Sequence, residues 1–112
     1  NLFKRSSLVV IPSRHETFPL VALEAMAYSK PLVSFSIDGL SWIPNGCILQ
    51  APSFDTKILA KQIARILKDS SLRKRMSAKS LAEVSNFTWD KSAKQYHAAV
   101  TEVTQVSKIA YD

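Results

Sequence analysis

At 112 residues and 46% apolar, the chain is long enough for one small domain with a buried core and too apolar for global disorder. Its one cysteine, Cys47, excludes an internal disulfide and suits a reducing cytosol. No apolar run reaches the roughly eighteen residues that a spanning helix needs. The net charge of +6 arises wholly in residues 57–112, which hold eleven basic and five acidic side chains, whereas residues 1–56 hold four of each.

The chain opens on Asn1-Leu2-Phe3-Lys4, neither a Met start nor a signal peptide, and reads as a piece of something longer or trimmed. Residues 7–11, Ser-Leu-Val-Val-Ile, form a short apolar run stopped by Pro12, the pattern of a buried strand in a parallel sheet. A polar loop, Ser13 to Glu16, leads into a helix expected over residues 18–29, with Thr17 as N-cap and Pro19 in the first turn. Pro31 is expected to end that helix, and residues 32–35 read as a second strand. Strand, helix, strand in this order is a βαβ unit.

Turn signals follow at Asp38-Gly39 and Pro44-Asn45-Gly46, and residues 47–50 suit a third strand. Residues 55–68 place Leu59, Ile63, Ile66 and Leu67 on one helical face. A further helix is expected to about residue 84, capped by Ser70 or Ser71. The pattern breaks at Asn86-Phe87-Thr88-Trp89, and a last helix is expected over residues 90–107. The fold class is therefore α/β: a Rossmann-like half-domain with a parallel βαβ core in residues 1–50 and a helical part in residues 51–112.

Two carboxylates, Glu16 and Glu24, stand eight residues apart around the start of the first long helix. In an open parallel sheet, ligands bind beyond the carboxyl ends of the strands, and a helix N-terminus there presents unpaired N–H groups to an anion. Eight helical residues cover about 12 Å, the scale of a nucleotide-diphosphate sugar. Carboxylates at its two ends can accept hydrogen bonds from hydroxyl groups. A plainer reading stays open on geometry alone: a solvated helical Glu24, and a Glu16 that complements the helix dipole.

The run Pro12-Ser13-x-x-Glu16-Thr17-Phe18-Pro19-Leu20-Val21-x-Leu23-Glu24-Ala25-Met26-Ala27-x-x-Lys30-Pro31 closely resembles the E-x7-E signature of retaining, nucleotide-sugar glycosyltransferases of the GT-B fold, the glycosyl transferases group 1. The resemblance continues through the loop at residues 38–46, the amphipathic helix and Phe87-Thr88-Trp89. It implies the donor-binding, C-terminal part of such an enzyme. By that resemblance Glu24 binds the ribose hydroxyls and Glu16 lies beside the donor sugar at the reacting centre. Thr17, Phe18, Pro19, Leu20 and Val21 form the donor-binding turn, with backbone N–H groups meeting the sugar hydroxyls and the diphosphate. Pro19 has no N–H where many relatives have glycine. Ser29 stands where many have glycine, and Trp42 falls near a common glutamate. These departures bear on base and ribose recognition more than on the fold.

No metal or cofactor is implied; the nucleotide-diphosphate sugar is a substrate. The resemblance puts the cations facing the diphosphate, and the domain that binds a saccharide or lipid-linked acceptor, upstream of Asn1, so the 112 residues alone are expected not to turn over donor. The alternatives are a non-catalytic nucleotide-sugar-binding module, such as a subunit of a split transferase, and an interaction domain docking through its basic half. That half reads either as solvated helix faces or as a surface for peripheral contact with an anionic membrane, at the inner face of a cytoplasmic protein. The cluster Arg73-Lys74-Arg75 has no aromatic residues interleaved, which argues against nucleic acid. His15 reads as loop lining, His97 as surface, Cys47 as buried and Phe87 with Trp89 as packing. Histidine and cysteine are too few for a structural zinc site.

Overall fold

The structure, a computed structural model, describes residues 1–16, 19–87, 97–99 and 101–102. Three parallel strands form the sheet: β1 (Val9–Ile11), β2 (Leu32–Phe35) and β3 (Ile48–Ala51), in the spatial order β1-β2-β3. Val9 stands opposite Leu32 and Ile11 opposite Ser34; Leu32 stands opposite Ile48 and Phe35 opposite Ala51. The expected parallel pairing of the first two strands is what the structure shows. All four residues of β2 are buried, which explains why apolar residues fall on both faces of this strand rather than alternating; the one polar member, Ser34, donates its hydroxyl to the Phe35 carbonyl.

The strand ends shift slightly. β1 begins at Val9, whose N–H donates to the Pro31 carbonyl, so Ser7 and Leu8 precede it. β3 begins one residue later than expected because Cys47 still belongs to the turn, its N–H donating to the Pro44 carbonyl.

Helix α2 (Leu20–Ala27) covers one face with Ala22, Ala25 and Met26, packed on Ile11, Leu32 and Ile48. The two buried alanines let the helix approach the sheet closely. It is shorter than expected at both ends. Pro19, in extended conformation and without a side-chain cap bond, is the N-cap; Thr17 lies outside the described residues. At the other end Ser29 takes a left-handed φ of 59°. Its N–H donates to the Met26 carbonyl and the Lys30 N–H to the Ala25 carbonyl, the paired bonds of a Schellman turn. That turn, not Pro31, stops the helix.

Helix α3 (Thr56–Lys68) covers the opposite face, where Leu59 and Ile66 meet Val33, Phe35 and Ala51. The sheet is thus sandwiched between α2 and α3. Leu67 is 52% exposed, contrary to the sequence reading, because the residue after Ile66 is turned about 100° around the helix. Asp55 caps α3 by accepting the Ile58 N–H at 3.0 Å. Helix α4 (Ser70–Val84) follows after one residue. Its cap is Asp69 rather than Ser70 or Ser71: that carboxylate accepts the Leu72 N–H at 3.0 Å, while the Asp69 N–H closes α3 on the Arg65 carbonyl. Arg73 donates to the last carbonyls of α3, Ile66 and Leu67, at 3.0 and 3.1 Å.

One element escaped the sequence reading. A single turn, α1 (Leu2–Arg5), is capped by Asn1 and held on the end of α2 by Phe3 stacked on Tyr28, with ring centroids 5.4 Å apart. The helix expected over residues 90–107 lies largely outside the described residues, as does Trp89. His97 is described and is exposed. No helix among the described residues is long and apolar enough to cross a membrane.

Candidate functional site

Parallel strands bring their carboxyl ends to one rim, where the loops after β1, β2 and β3 meet. They enclose a cavity of about 270 Å³ lined by Arg14, His15 and Glu16 from the first loop, Ser36 to Gly39 from the second, and Ser53 and Phe54 from the third. Ser13 Oγ donates to Glu16 Oε1 at 2.8 Å, which orients that half-buried carboxylate. Ser53 Oγ donates to the Ser36 carbonyl at 2.7 Å, tying the second loop to the third.

The first two loops touch through Gly39, in a short 3₁₀ turn over Asp38–Leu40. A methyl group there would sit 1.8 Å from the Glu16 carbonyl oxygen, so only glycine lets the two backbones approach this closely. Phe54 has a left-handed φ of 68°, unusual for so bulky a residue. Its ring meets Phe35 edge to face, centroids 5.8 Å apart, and the Arg14 guanidinium carbon lies 4.9 Å from its centroid. The rim therefore holds two carboxylates, a guanidinium and an imidazole around one opening. No three of the described His, Cys, Asp and Glu side chains converge to hold a metal ion.

Glu24 lies elsewhere. It is exposed in the middle of α2 and lines a separate groove of about 340 Å³ with Leu20, Leu23, Ala27, Val84 and Phe87. The 12 Å separation inferred from helical rise does not apply, since Glu16 stands in a loop and only Leu20–Ala27 are helical. Between the two carboxylates, Pro19 is buried, Leu20 and Val21 are exposed, and Thr17 and Phe18 lie outside the described residues. The N–H groups of Leu20 and Val21 fall in the first turn of α2, where a helix offers them no acceptor of its own, and the Pro19 side chain makes no cap bond to them. Phe87, expected as core, is 37% exposed and packs edge to face on Trp42.

Asp38 and Phe54 are rim residues that residue types alone did not single out. The signal was topological: they follow β2 and β3, and the rule that put Pro12 to Glu16 at a ligand rim puts them there too. Cys47 precedes β3, at the opposite end of the sheet, and is buried. Burial pushes its thiol up, Glu83 adds to the rise, and Ser80 and Lys79 pull it partly back. A neutral, enclosed thiol is a poor nucleophile.

The family model described as Glycosyl transferases group 1 matches residues 1–82. Among curated proteins, the D-inositol 3-phosphate glycosyltransferase of Salinispora arenicola is 31% identical over 93 residues, covering 81% of this chain and 21% of the relative. The alpha-D-kanosaminyltransferase of Streptomyces kanamyceticus is 35% identical over 79 residues, covering 69% and 20%. Among solved structures, sucrose-phosphate synthase from Thermosynechococcus elongatus superposes with a TM-score of 0.81 at 30% identity, covering 94% of this chain and 27% of that one. The chain thus spans about a fifth to a quarter of the length of these relatives.

Proposed function

The chain belongs to the glycosyl transferases group 1 family, and from that premise we propose that it forms the donor-binding part of an enzyme that moves a sugar from a nucleotide-diphosphate sugar to an acceptor hydroxyl with retention. The observation that carries this reading is Glu16, a carboxylate oriented by Ser13 at the mouth of a cavity on the ligand rim of a parallel sheet. The relatives named above, each a transferase or synthase by name, support the reaction class.

In this reading the two glutamates have separate tasks, as their separate positions suggest. The bond from the anomeric carbon to the diphosphate breaks, the acceptor oxygen bonds to that carbon on the same face, and the hydroxyl proton leaves with the diphosphate. Glu16 lies where positive charge grows on the sugar and stabilises it. The first turn of α2 offers the N–H groups of Leu20 and Val21 to the diphosphate. Glu24, further along α2, accepts hydrogen bonds from the ribose hydroxyls. The acceptor is bound by parts of the protein outside these 112 residues.

Kinetics on two isosteric variants of the protein, with a panel of nucleotide-diphosphate sugars, test the assignment. Glu16→Gln is expected to lower kcat about 100-fold with little change in donor KM, the size of a lost transition-state contact. Glu24→Gln is expected to raise donor KM about 10-fold and to spare kcat, as a charge-assisted hydrogen bond is weakened in ground and transition states alike. Wild-type kinetics in both variants would make the pair structural and overturn the reading.

A further inference from the structure

The other end of the sheet has a concavity of its own. It measures about 380 Å³ and is lined by Ser6, Ser7, Lys30, Arg73, Lys74 and Ser77. Ser6 and Ser7 precede β1 and Lys30 precedes β2, so with parallel strands this is the rim opposite Glu16. A four-residue strand separates the two rims by about 13 Å. The lining has three cations and three hydroxyls, and no carboxylate.

Two of its walls are held in place. Arg73 is fixed by its bonds from Nη1 to the Ile66 and Leu67 carbonyls, which leave the rest of its donor fork uncommitted. Ser77 lies four residues after Arg73 and three after Lys74, so the three share one side of α4. Lys30 comes from the facing wall, its backbone set by the Schellman turn through the bond from its N–H to the Ala25 carbonyl at 2.9 Å. Among the described residues the only ion pair is Lys79 with Glu83, so none of the three cations is neutralised there. Like charges gathered around a polar concavity repel one another and attract an anion.

We propose that this concavity binds a phosphate group, held by Lys30, Arg73 and Lys74, as a site distinct from the Glu16 rim and independent of the donor-site reading. A phosphate presents several acceptor oxygens and full negative charge, which the Arg73 fork, two ammonium groups and the Ser7 and Ser77 hydroxyls match. A free phosphate compound and a phospholipid headgroup share that chemistry.

The test is a titration of the protein with inorganic phosphate, followed by the amide resonances of Ser7, Lys30 and Ser77, with chloride at matched ionic strength as control. Saturable shifts with phosphate alone are expected. In the Lys30→Gln/Lys74→Gln double variant, whose changes fall on side chains with no partner among the described residues, affinity should fall about 10-fold, roughly threefold per exposed charge. Co-sedimentation separates the sources, using vesicles of phosphatidylcholine with or without one-third phosphatidylglycerol. Capture by the anionic vesicles, lost in the double variant, identifies a headgroup; phosphate saturation without capture identifies a soluble ligand. Shifts that follow ionic strength alone, or an affinity unchanged in the double variant, would overturn the proposal.

Discussion

Ser29 and Phe54 share an unusual backbone, with φ of 59° and 68°, at opposite ends of the sheet. L-residues other than asparagine and aspartate rarely turn left-handed, at a cost of about 1–2 kcal/mol. The two side chains offset that cost very differently. The Ser29 hydroxyl has no hydrogen-bond partner among the described residues. The Phe54 ring bridges Phe35 in the interior and Arg14 at the cavity mouth. Strain at the amino rim is thus a by-product of ending α2, whereas strain at the carboxyl rim aims a large ring at the candidate site. The two glycines divide similarly: Gly46 supplies a left-handed φ of 93°, and Gly39 supplies space against Glu16.

The largest effect is expected at Gly39, where the idea of a rigid carboxyl rim is most exposed. Gly39→Ala drives a methyl group into the Glu16 carbonyl, and neither backbone can yield without moving a loop. A stability loss of about 1–3 kcal/mol is expected, as for other overpacked sites. Donor turnover should fall with it because the Glu16 carboxylate moves. Denaturant unfolding together with kinetics checks both. An alanine here that leaves both unchanged would show that the Glu16 loop shifts freely and that the rim is no preformed site.

Phe54→Gly sharpens the comparison directly. Glycine relieves the left-handed backbone, a net gain of about 0.5–1 kcal/mol after its own entropy cost. It also removes a ring that is about half-buried, worth about 1–2 kcal/mol, and its contact with Arg14, worth about 0.5–1. The sum is a loss of about 1–2 kcal/mol, read by urea unfolding. A gain in stability instead would mean that the ring contributes nothing and that the two left-handed residues are alike.

How much of this was legible beforehand depended on where each element draws its stability. The strand Leu32–Phe35 was readable because it is buried on both faces, which leaves a run apolar but for Ser34 between Pro31 and a polar loop. The helix Thr56–Lys68 was readable from its amphipathic period. The turn Leu2–Arg5 was not, since four residues carry no period and its anchor is Tyr28, distant in sequence. Asp69 was missed as a cap because Asp69, Ser70 and Ser71 are all good capping types, and only the path of the chain decides among them. At the candidate site, Glu16 came from a local motif, whereas Asp38 and Phe54 join it only through the order of the strands.

The smallest expected effect tests the other half of the comparison. Ser29→Gly keeps both Schellman bonds, which are made by the backbone of residues 29 and 30, and removes the Cβ that makes a left-handed conformation costly. The relief of about 1–2 kcal/mol is partly cancelled by the extra freedom of glycine in the unfolded chain, about 0.5–1 kcal/mol. A net gain of about 0.5–1 kcal/mol remains, a rise in Tm of about 2–8 °C for a domain of this size. Ser29→Ala is the control: it retains the Cβ and the strain, and its Tm should stay close to wild type. Donor kinetics should be unaffected by either change, because residue 29 lies at the rim away from Glu16. A glycine variant no more stable than the alanine one would show that the Cβ of residue 29 carries no net strain in the turn, and the contrast with Phe54 would then lose one of its two sides.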